Sequence, residues 1–146
     1  AMLEYLDERY PTPSLLPGDA FARAHIRELS LAIACEIHPL NNLRVLRYLK
    51  HTLEVDEAQK TAWIQHWIKL GFTALEQQLA ADTTRGHFCV GDAPTMADCF
   101  LIPQIFNARR FEVDMAPFPT LCAIEAACNA LPAFEQAHPA QQPDAA

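Results

Sequence analysis

The residue types best suited to chemistry in this sequence stand together in the run Glu-Ile-His-Pro-Leu-Asn-Asn-Leu-Arg-Val-Leu, at positions 36–46. Pro39 lacks the backbone donor that a helix interior needs, which costs roughly 3 kcal/mol, and two adjacent asparagines follow soon after it. A sequence that keeps such residues inside an amphipathic helix uses them for another purpose. If the helix continues through a bend, His38 and Asn42 share one face and Arg44 lies within two turns. The run therefore predicts a small patch of hydrogen-bond donors beside a kink.

A second pair of cations follows a long apolar stretch. Arg109 and Arg110 stand where a helix is expected to end, and their charge there opposes the negative end of the helix dipole favourably. Capping at the surface explains both residues. The alternative is that one of them turns inward and binds a carboxylate through two parallel hydrogen bonds, which lysine would do less well. The sequence leaves open which of the two would face such a site.

The five cysteines form no Cys-x-x-Cys pair, and their odd number favours reduced thiols over a disulfide framework. Cys35 and His38 are three residues apart on the predicted helix, so they could form a nucleophile and its base, or two ligands of a metal. A single such pair with no second pair nearby supports neither role well. We therefore expect no metal site and interpret the cysteines as small core residues, namely Cys35, Cys89, Cys99, Cys122 and Cys128.

Composition limits the class of protein. With 146 residues, of which 51% are hydrophobic, the chain can bury one core, which favours a single globular domain. The formal net charge of −7 disfavours a general affinity for nucleic acid or anionic membranes, so any anion site must be local. There is no run of eighteen apolar residues and no signal-peptide pattern, which makes the cytoplasm the default location.

Apolar residues recur at intervals of three and four along most of the chain, as in amphipathic helices. Residues 1–10 are predicted to form a helix that two prolines end, and residues 11–18 to form a linker. Asp19 is a candidate N-cap for a long helix that bends and continues to about Leu53. Asp56 then begins another helix, and a loop and further helices follow. We predict an all-α bundle of about five to six helices.

The segment from Gly91 to Asp98 carries the second informative pattern. Thr95 can accept a hydrogen bond from the backbone of residue 98, while the Asp98 carboxylate reaches back to the Thr95 amide, which together form a capping box. The helix behind it is apolar on nearly every side, so we expect it to run through the core. Thr95 and Asp98 are therefore predicted to be structural capping residues of a buried central helix.

On these elements the chain resembles the C-terminal helical domain of the glutathione transferase family, specifically its zeta class. The superfamily is indicated by the run Glu-Tyr-Leu-Asp-Glu-Arg-Tyr-Pro at positions 4–11 and by the G-x-x-x-[ST]-x-x-D motif at positions 91–98. The class is indicated by Ile-His-Pro-Leu-Asn-Asn-Leu-Arg-Val-Leu at 37–46 and Asn-Ala-Arg-Arg-Phe-Glu-Val-Asp at 107–114. The resemblance spans nearly the whole chain.

The zeta class implies a glutathione-dependent isomerase of maleylacetoacetate or maleylpyruvate, and the Asn-Asn-Leu-Arg form favours maleylacetoacetate. The thiolate of glutathione would add to a cis double bond, rotation would follow, and expulsion of the thiolate would leave the trans diacid. A homodimer in the degradation of aromatic compounds is also implied. Contacts to glutathione or substrate would come from His38, Asn42, Leu43, Arg44, Arg110 and, with less support, Arg109.

The same resemblance implies a division of the chain into four parts. Residues 1–10 would be the remnant of the last helix of a thioredoxin-like N-terminal domain, 11–18 the linker, 19–138 the helical domain and 139–146 a flexible tail. In this family the thiol is activated in the N-terminal domain, so we expect no catalytic residue in this chain and no activity from it alone. The alternative is a non-catalytic helical binding or assembly module derived from such an enzyme.

Overall fold

A computed structural model describes residues 1–83 and 85–143. Within these ranges all regular secondary structure is helical, as predicted, and α5 (Met96–Arg110) runs through the centre of the bundle between α2 (Ala20–Leu31) and α6 (Pro119–Asn129). No helix in the described part of the chain is both long and apolar enough to cross a membrane. The α-helices are α1 (Met2–Arg9), α2 (Ala20–Leu31), α3 (Leu43–His51), α4 (Glu57–Ala81), α5 (Met96–Arg110), α6 (Pro119–Asn129) and α7 (Pro132–Ala137).

Two of the predicted helix starts are capped as the sequence indicates. The Asp19 carboxylate accepts a hydrogen bond from the backbone of Ala22 at 2.9 Å, at the start of α2. Asp56 and Gln59 form a reciprocal capping box at the start of α4, with hydrogen bonds of 2.7 and 3.0 Å. Because these caps satisfy backbone donors that a helix leaves free, local sequence alone determines where the two helices begin.

The long bent helix that the sequence predicts does not continue to Leu53. After α2 the chain widens into a π-helical segment, Ala32–Ile37, and then tightens into a 3-10 segment, His38–Asn41. A continuous α-helix would require Pro39 to donate a backbone hydrogen bond, which proline cannot do. The chain instead changes its hydrogen-bond spacing on both sides of the proline and becomes extended at Asn42, with φ −67° and ψ 146°.

This break overturns the expectation that His38 and Asn42 share one helix face. Asn42 is the N-cap of α3, and its side-chain oxygen accepts a hydrogen bond from the Arg44 backbone at 3.2 Å. The second of the two asparagines therefore begins a new helix. The first, Asn41, ends the 3-10 segment and takes a different position, described below.

The π-helical segment packs closely against α4 at Gly71. A Cβ atom at this position would lie 2.4 Å from both Cγ1 and Cδ1 of Ile37, whose side chain is buried. No side chain larger than a hydrogen fits there unless Ile37 moves. Gly71 thus allows the segment that carries His38 to approach the core.

We predict that Gly71→Ala lowers the free energy of unfolding by about 1–2 kcal/mol, because overpacking costs more than the roughly 1 kcal/mol that alanine gains in a helix. In an Ile37→Ala background the clash is absent, so the same substitution should be neutral or stabilising. Urea denaturation of the four proteins of this cycle measures both values. An equal effect of Gly71→Ala in the two backgrounds would contradict the close contact.

The C-terminal part of the helical region ends with a short turn. Residues Pro139–Gln141 form a 3-10 segment after α7, and the Gln142 side chain donates to the carbonyls of Gln136 and His138 at 2.8 and 3.2 Å. The last three positions of the predicted tail, 144–146, lie outside the described residues.

Candidate functional site

A cavity of about 430 Å³ lies between the π and 3-10 segments on one side and α5 on the other. The first wall contributes Ile33, His38 and Asn41 among others. Along α5 the lining residues recur at intervals of three and four, which places them on a single stripe of the helix. They are Cys99, Phe100, Pro103, Gln104, Phe106, Asn107 and Arg110.

The depth of the polar side chains divides this cavity into a rim and a floor. His38 and Arg110 are exposed and stand at the rim. Gln104 is only 3% exposed and lies at the floor. Among the described residues, the lining contains no aspartate or glutamate, and the Arg110 guanidinium is its one formal charge when His38 is neutral. In a chain with a net charge of −7, this is a local site suited to an anion.

The floor carries amide groups without partners. Both side-chain polar atoms of Asn41, Oδ1 and Nδ2, are buried and have no hydrogen-bond partner among the described residues, and the same holds for Nε2 of Gln104. A buried donor or acceptor left unpaired costs about 1–3 kcal/mol, so such groups are rare unless water or a ligand satisfies them. The lining therefore combines a charged donor at the rim with residues whose buried amide groups no described residue satisfies.

The two adjacent arginines at the end of α5 have different partners. Arg109 pairs with Glu125 through two hydrogen bonds, from Nε at 2.9 Å and from a terminal nitrogen at 2.5 Å, outside the cavity. These bonds raise the pKa of Arg109 above its usual value. Arg110 lines the cavity, and the carbonyl of the next residue, Phe111, accepts a hydrogen bond from Gln65 at 2.8 Å. Of the two arginines, Arg110 is thus the one that lines the same cavity as His38.

The remaining predicted contacts lie elsewhere. Asn42, Leu43 and Arg44 form the start of α3 and are not part of the cavity lining. Leu43 is 59% exposed, and Arg44 is also exposed.

Three polar lining residues, Asn41, Gln104 and Asn107, were not among the predicted site residues. The sequence contains one signal for Gln104 and Asn107. They interrupt an otherwise apolar helix, and together with Arg110 they recur at intervals of three residues.

Trp63 of α4 holds the wall that carries His38. Its indole Nε1 donates to the Leu40 carbonyl at 2.9 Å, and its ring lies edge-on to Trp67 with centroids 5.6 Å apart. Aromatic residues at helical spacing usually serve as packing anchors. The hydrogen bond adds that Trp63 also fixes the backbone between the proline and Asn41.

Thr95 and Asp98 form the reciprocal capping box at the start of α5. The Asp98 carboxylate, which is fully buried, accepts hydrogen bonds from the Thr95 backbone at 2.7 Å, the Thr95 hydroxyl at 3.0 Å and the Cys89 backbone at 2.9 Å. The Cys128 thiol lies 3.8 Å from the same carboxylate. Burial and this negative charge raise the pKa of Cys128 to about 12. Asp98 therefore links the helix start to the loop before it and to α6.

A larger cavity, of about 470 Å³, lies between α1, α2 and α5, but its polar side chains are already paired. Arg27 forms an ion pair with Glu4, and the Ser30 hydroxyl donates to the Ile26 carbonyl at 2.7 Å. Among the described residues, none that lines this cavity has a buried side-chain donor without a partner, in contrast to Gln104 in the other cavity. We therefore assign the candidate site to the cavity between His38 and Arg110.

The structure does not support a reactive pair of Cys35 and His38. Among the described residues no hydrogen bond joins these two side chains, and no three His, Cys, Asp or Glu side chains are grouped so that they could hold a metal ion. Cys35 is exposed, so its assignment to the core was wrong, whereas Cys89 and Cys128 are buried. Cys99 lines the cavity, and burial raises its pKa.

We predict that iodoacetamide at pH 8 modifies Cys35 at least about tenfold faster than Cys99, because only the thiolate reacts and the raised pKa of Cys99 keeps its thiol protonated. Mass spectrometry of tryptic peptides at several reaction times measures both rates. In urea the two rates should become similar. Faster modification of Cys99 in the folded protein would show that the cavity thiol is activated.

Comparison with known proteins identifies the fold. Residues 57–140 match the family described as glutathione S-transferase, C-terminal domain. A maleylpyruvate isomerase from a Ralstonia species is 51% identical over 146 residues, which are 100% of this chain and 69% of the relative. The holo structure of a maleylpyruvate isomerase, a bacterial glutathione transferase of the zeta class, matches with a TM-score of 0.97 at 51% identity and covers 99% of this chain and 68% of that chain.

A second solved structure has bound ligands. The maleylacetoacetate isomerase of Anaeromyxobacter dehalogenans, with dicarboxyethyl glutathione and citrate in its active site, has a TM-score of 0.92 at 43% identity and covers 99% of this chain and 64% of that chain. The chain thus spans between 64% and 69% of the length of these relatives. The chain belongs to the glutathione transferase family. Its sequence similarity and its close structural match to a zeta-class enzyme assign it to the zeta class.

Proposed function

We propose that the whole protein is a glutathione-dependent isomerase that converts a small cis-enol diacid, maleylpyruvate or maleylacetoacetate, into its trans isomer. The observation that carries this proposal is the cavity in which Arg110 and His38 stand above two unpartnered amides, with no acidic side chain in the lining. Such a site suits a ligand with carboxylates and further oxygen acceptors. The similar enzymes named as isomerases of these two diacids support the same substrate class.

The residues of the cavity also fit glutathione as the cofactor. Glutathione has carboxylates and peptide carbonyls that accept hydrogen bonds, and the cavity offers donors on both walls. When bound, glutathione supplies a thiol that can add reversibly to an activated double bond. The thiol of the cavity wall, Cys99, is not a substitute, because burial raises its pKa.

The chain's own residues would position the diacid and neutralise its charge. Arg110 would hold one carboxylate through two parallel hydrogen bonds, and His38 would face the ligand from the opposite rim. Donors that are already in place when negative charge develops on the enolate lower the barrier without reorganising. At the start of α3, the half-buried Asn42 and the exposed Leu43 and Arg44 remain predicted contacts for glutathione beyond the rim.

For the whole protein we also propose the domain division that the resemblance implies, with residues 1–10 as the last helix of a thioredoxin-like domain, 11–18 as linker and 19–138 as the helical domain. The contacts between these parts support a fixed arrangement, since the Asp7 carboxylate accepts hydrogen bonds from the Leu15 backbone and the Ser14 hydroxyl. A homodimer in the cytoplasm that acts in the degradation of aromatic compounds is part of this proposal.

Isomerisation assays with both substrates test the proposal. We expect the whole protein to convert maleylpyruvate or maleylacetoacetate in the presence of glutathione. Proton NMR of the vinyl protons monitors the conversion. S-methylglutathione, which has no free thiol, should support no turnover, and the 146-residue chain alone should be inactive. If the whole protein converts neither diacid with glutathione, the enzyme proposal fails and a helical binding module is the better description.

A further inference from the structure

The unpartnered amide of Gln104 is a feature that carboxylate binding by Arg110 does not explain. Gln104 is 3% exposed, lines the cavity, and has an Nε2 group without a partner among the described residues. The amide of Gln65, by contrast, donates to the Phe111 carbonyl at 2.8 Å. One glutamine amide near the end of α5 is therefore used by the fold, and the other, which belongs to a residue of the cavity lining, has a buried Nε2 that no described residue satisfies.

The charges of the two donors on α5 suit different groups of one ligand. The Arg110 guanidinium is charged and matches a carboxylate, whereas a primary amide is neutral and pairs well with a neutral carbonyl or enol oxygen. A carboxylate held only by neutral amides at a buried floor would remain largely uncompensated. The order along the cavity thus predicts a carboxylate at the rim and a neutral oxygen at the floor.

The helix geometry sets the spacing between these groups. Gln104 and Arg110 are six residues apart, which corresponds to about 9 Å along the axis of α5 at 1.5 Å per residue. In this structure the Arg110 guanidinium carbon lies 6.0 Å from the centroid of the Phe111 ring, and a change of rotamer can direct this long side chain back towards Gln104. A diacid of four to six carbons can therefore contact both donors at once.

We propose that Gln104 is a specificity-determining residue that donates a hydrogen bond to the oxo or enol oxygen of the substrate, and that Asn41 closes the floor beside it. The residue selects oxo diacids over plain diacids of the same length. This inference rests on the proposed function for the identity of the substrate class, but it concerns a different atom of the ligand from the one that Arg110 holds.

Calorimetric titration of the whole protein with 2-oxoglutarate and with glutarate tests the selection, because the two diacids differ only in the oxo oxygen. Wild-type protein should bind 2-oxoglutarate about fivefold to tenfold more tightly, the effect of one hydrogen bond. Gln104→Leu should bring the two dissociation constants within about twofold of each other and leave that of glutarate nearly unchanged. Arg110→Ala should weaken both ligands to a similar extent.

The stability of Gln104→Leu provides a second readout. If Gln104 served only the fold, its replacement would lower the midpoint of urea denaturation. Because its donor is unpartnered, Gln104→Leu should keep or raise the midpoint of urea denaturation in the absence of ligand. Gln65→Leu, which removes an amide in use, should lower the midpoint. A loss for Gln104→Leu as large as that for Gln65→Leu would assign Gln104 to the fold and overturn the inference.

The remaining outcomes separate this inference from the proposed function. If wild-type protein does not distinguish the two diacids, or if Gln104→Leu still does, the inference fails even when isomerisation with glutathione is observed. If the protein selects 2-oxoglutarate through Gln104 but isomerises neither maleylpyruvate nor maleylacetoacetate, the inference stands and the proposed function fails.

Discussion

Replacing Asp98 with alanine is expected to lower the free energy of unfolding by about 3–5 kcal/mol, the largest loss of stability that we predict. The carboxylate is fully buried and accepts hydrogen bonds from the backbones of Thr95 and Cys89 and from the Thr95 hydroxyl. Alanine leaves these donors without a partner in a site that water does not reach. A single exposed cap is worth only about 1 kcal/mol, so most of the expected loss comes from burial.

The matched control is the capping box of α4. Asp56 accepts the same kind of backbone hydrogen bond, from Gln59 at 2.7 Å, but lies at the exposed start of its helix. We expect Asp56→Ala to cost about 1 kcal/mol. Urea denaturation measures both losses, and Asp98→Asn, which keeps one acceptor oxygen, supplies an intermediate value if the alanine variant does not fold. Equal losses for the alanine variants at positions 98 and 56 would contradict the role of burial.

Replacing Arg110 with alanine in the whole protein is expected to lower kcat/KM for the diacid by one to three orders of magnitude. This corresponds to about 2–4 kcal/mol, the cost of removing a charged hydrogen-bond donor from a carboxylate. Folding should be unaffected, because the side chain lies at the cavity rim and is exposed. Arg110→Lys should recover only part of the rate, since an ammonium group cannot form two parallel hydrogen bonds.

Arg109→Ala is the neighbouring control for this experiment. Its guanidinium is half exposed and pairs with Glu125, so its loss should cost less than about 1 kcal/mol of stability and change kcat/KM by less than about twofold. Steady-state kinetics of the three variants, with thermal denaturation as a check of folding, measures these effects. If Arg109→Ala is as slow as Arg110→Ala, or if the kinetics of Arg110→Ala are unchanged, Arg110 is not the residue that selectively binds the substrate carboxylate.

The features that local sequence could predict are those that local physics determines. The caps at Asp19 and Asp56 depend on side chains three residues from the backbone that they satisfy, and each begins its helix where predicted. The apolar character of α5 similarly predicted its burial, and Leu101 and Ile105 are 1% and 0% exposed.

The form of the break at Pro39 could not be predicted in the same way. Proline indicates that a helix is disturbed, but π and 3-10 segments on either side have no comparable sequence signal. The change of hydrogen-bond spacing rotates the residues that follow, so that Asn41 enters the cavity and Asn42 caps α3. For this reason the prediction that His38 and Asn42 lie on the same face of one helix was wrong.

Contacts between distant residues were also beyond the sequence. The Glu76 carboxylate of α4 accepts hydrogen bonds from the backbones of Thr120 and Leu121 at 2.9 and 3.0 Å and so caps α6 from another helix. The partner of Arg109, Glu125, is sixteen residues away. Only the folded structure shows that Arg109 pairs with this carboxylate, whereas Arg110 lines the cavity.

A crystal structure of the whole protein with dicarboxyethyl glutathione tests the central claim most directly. We expect the dicarboxyethyl group to lie in the cavity between the 3-10 segment and α5, with a carboxylate within hydrogen-bond distance of the Arg110 guanidinium. Binding of that group only in the cavity lined by Glu4 and Arg27, with Arg110 pointing away from the ligand, would contradict the assignment of the site.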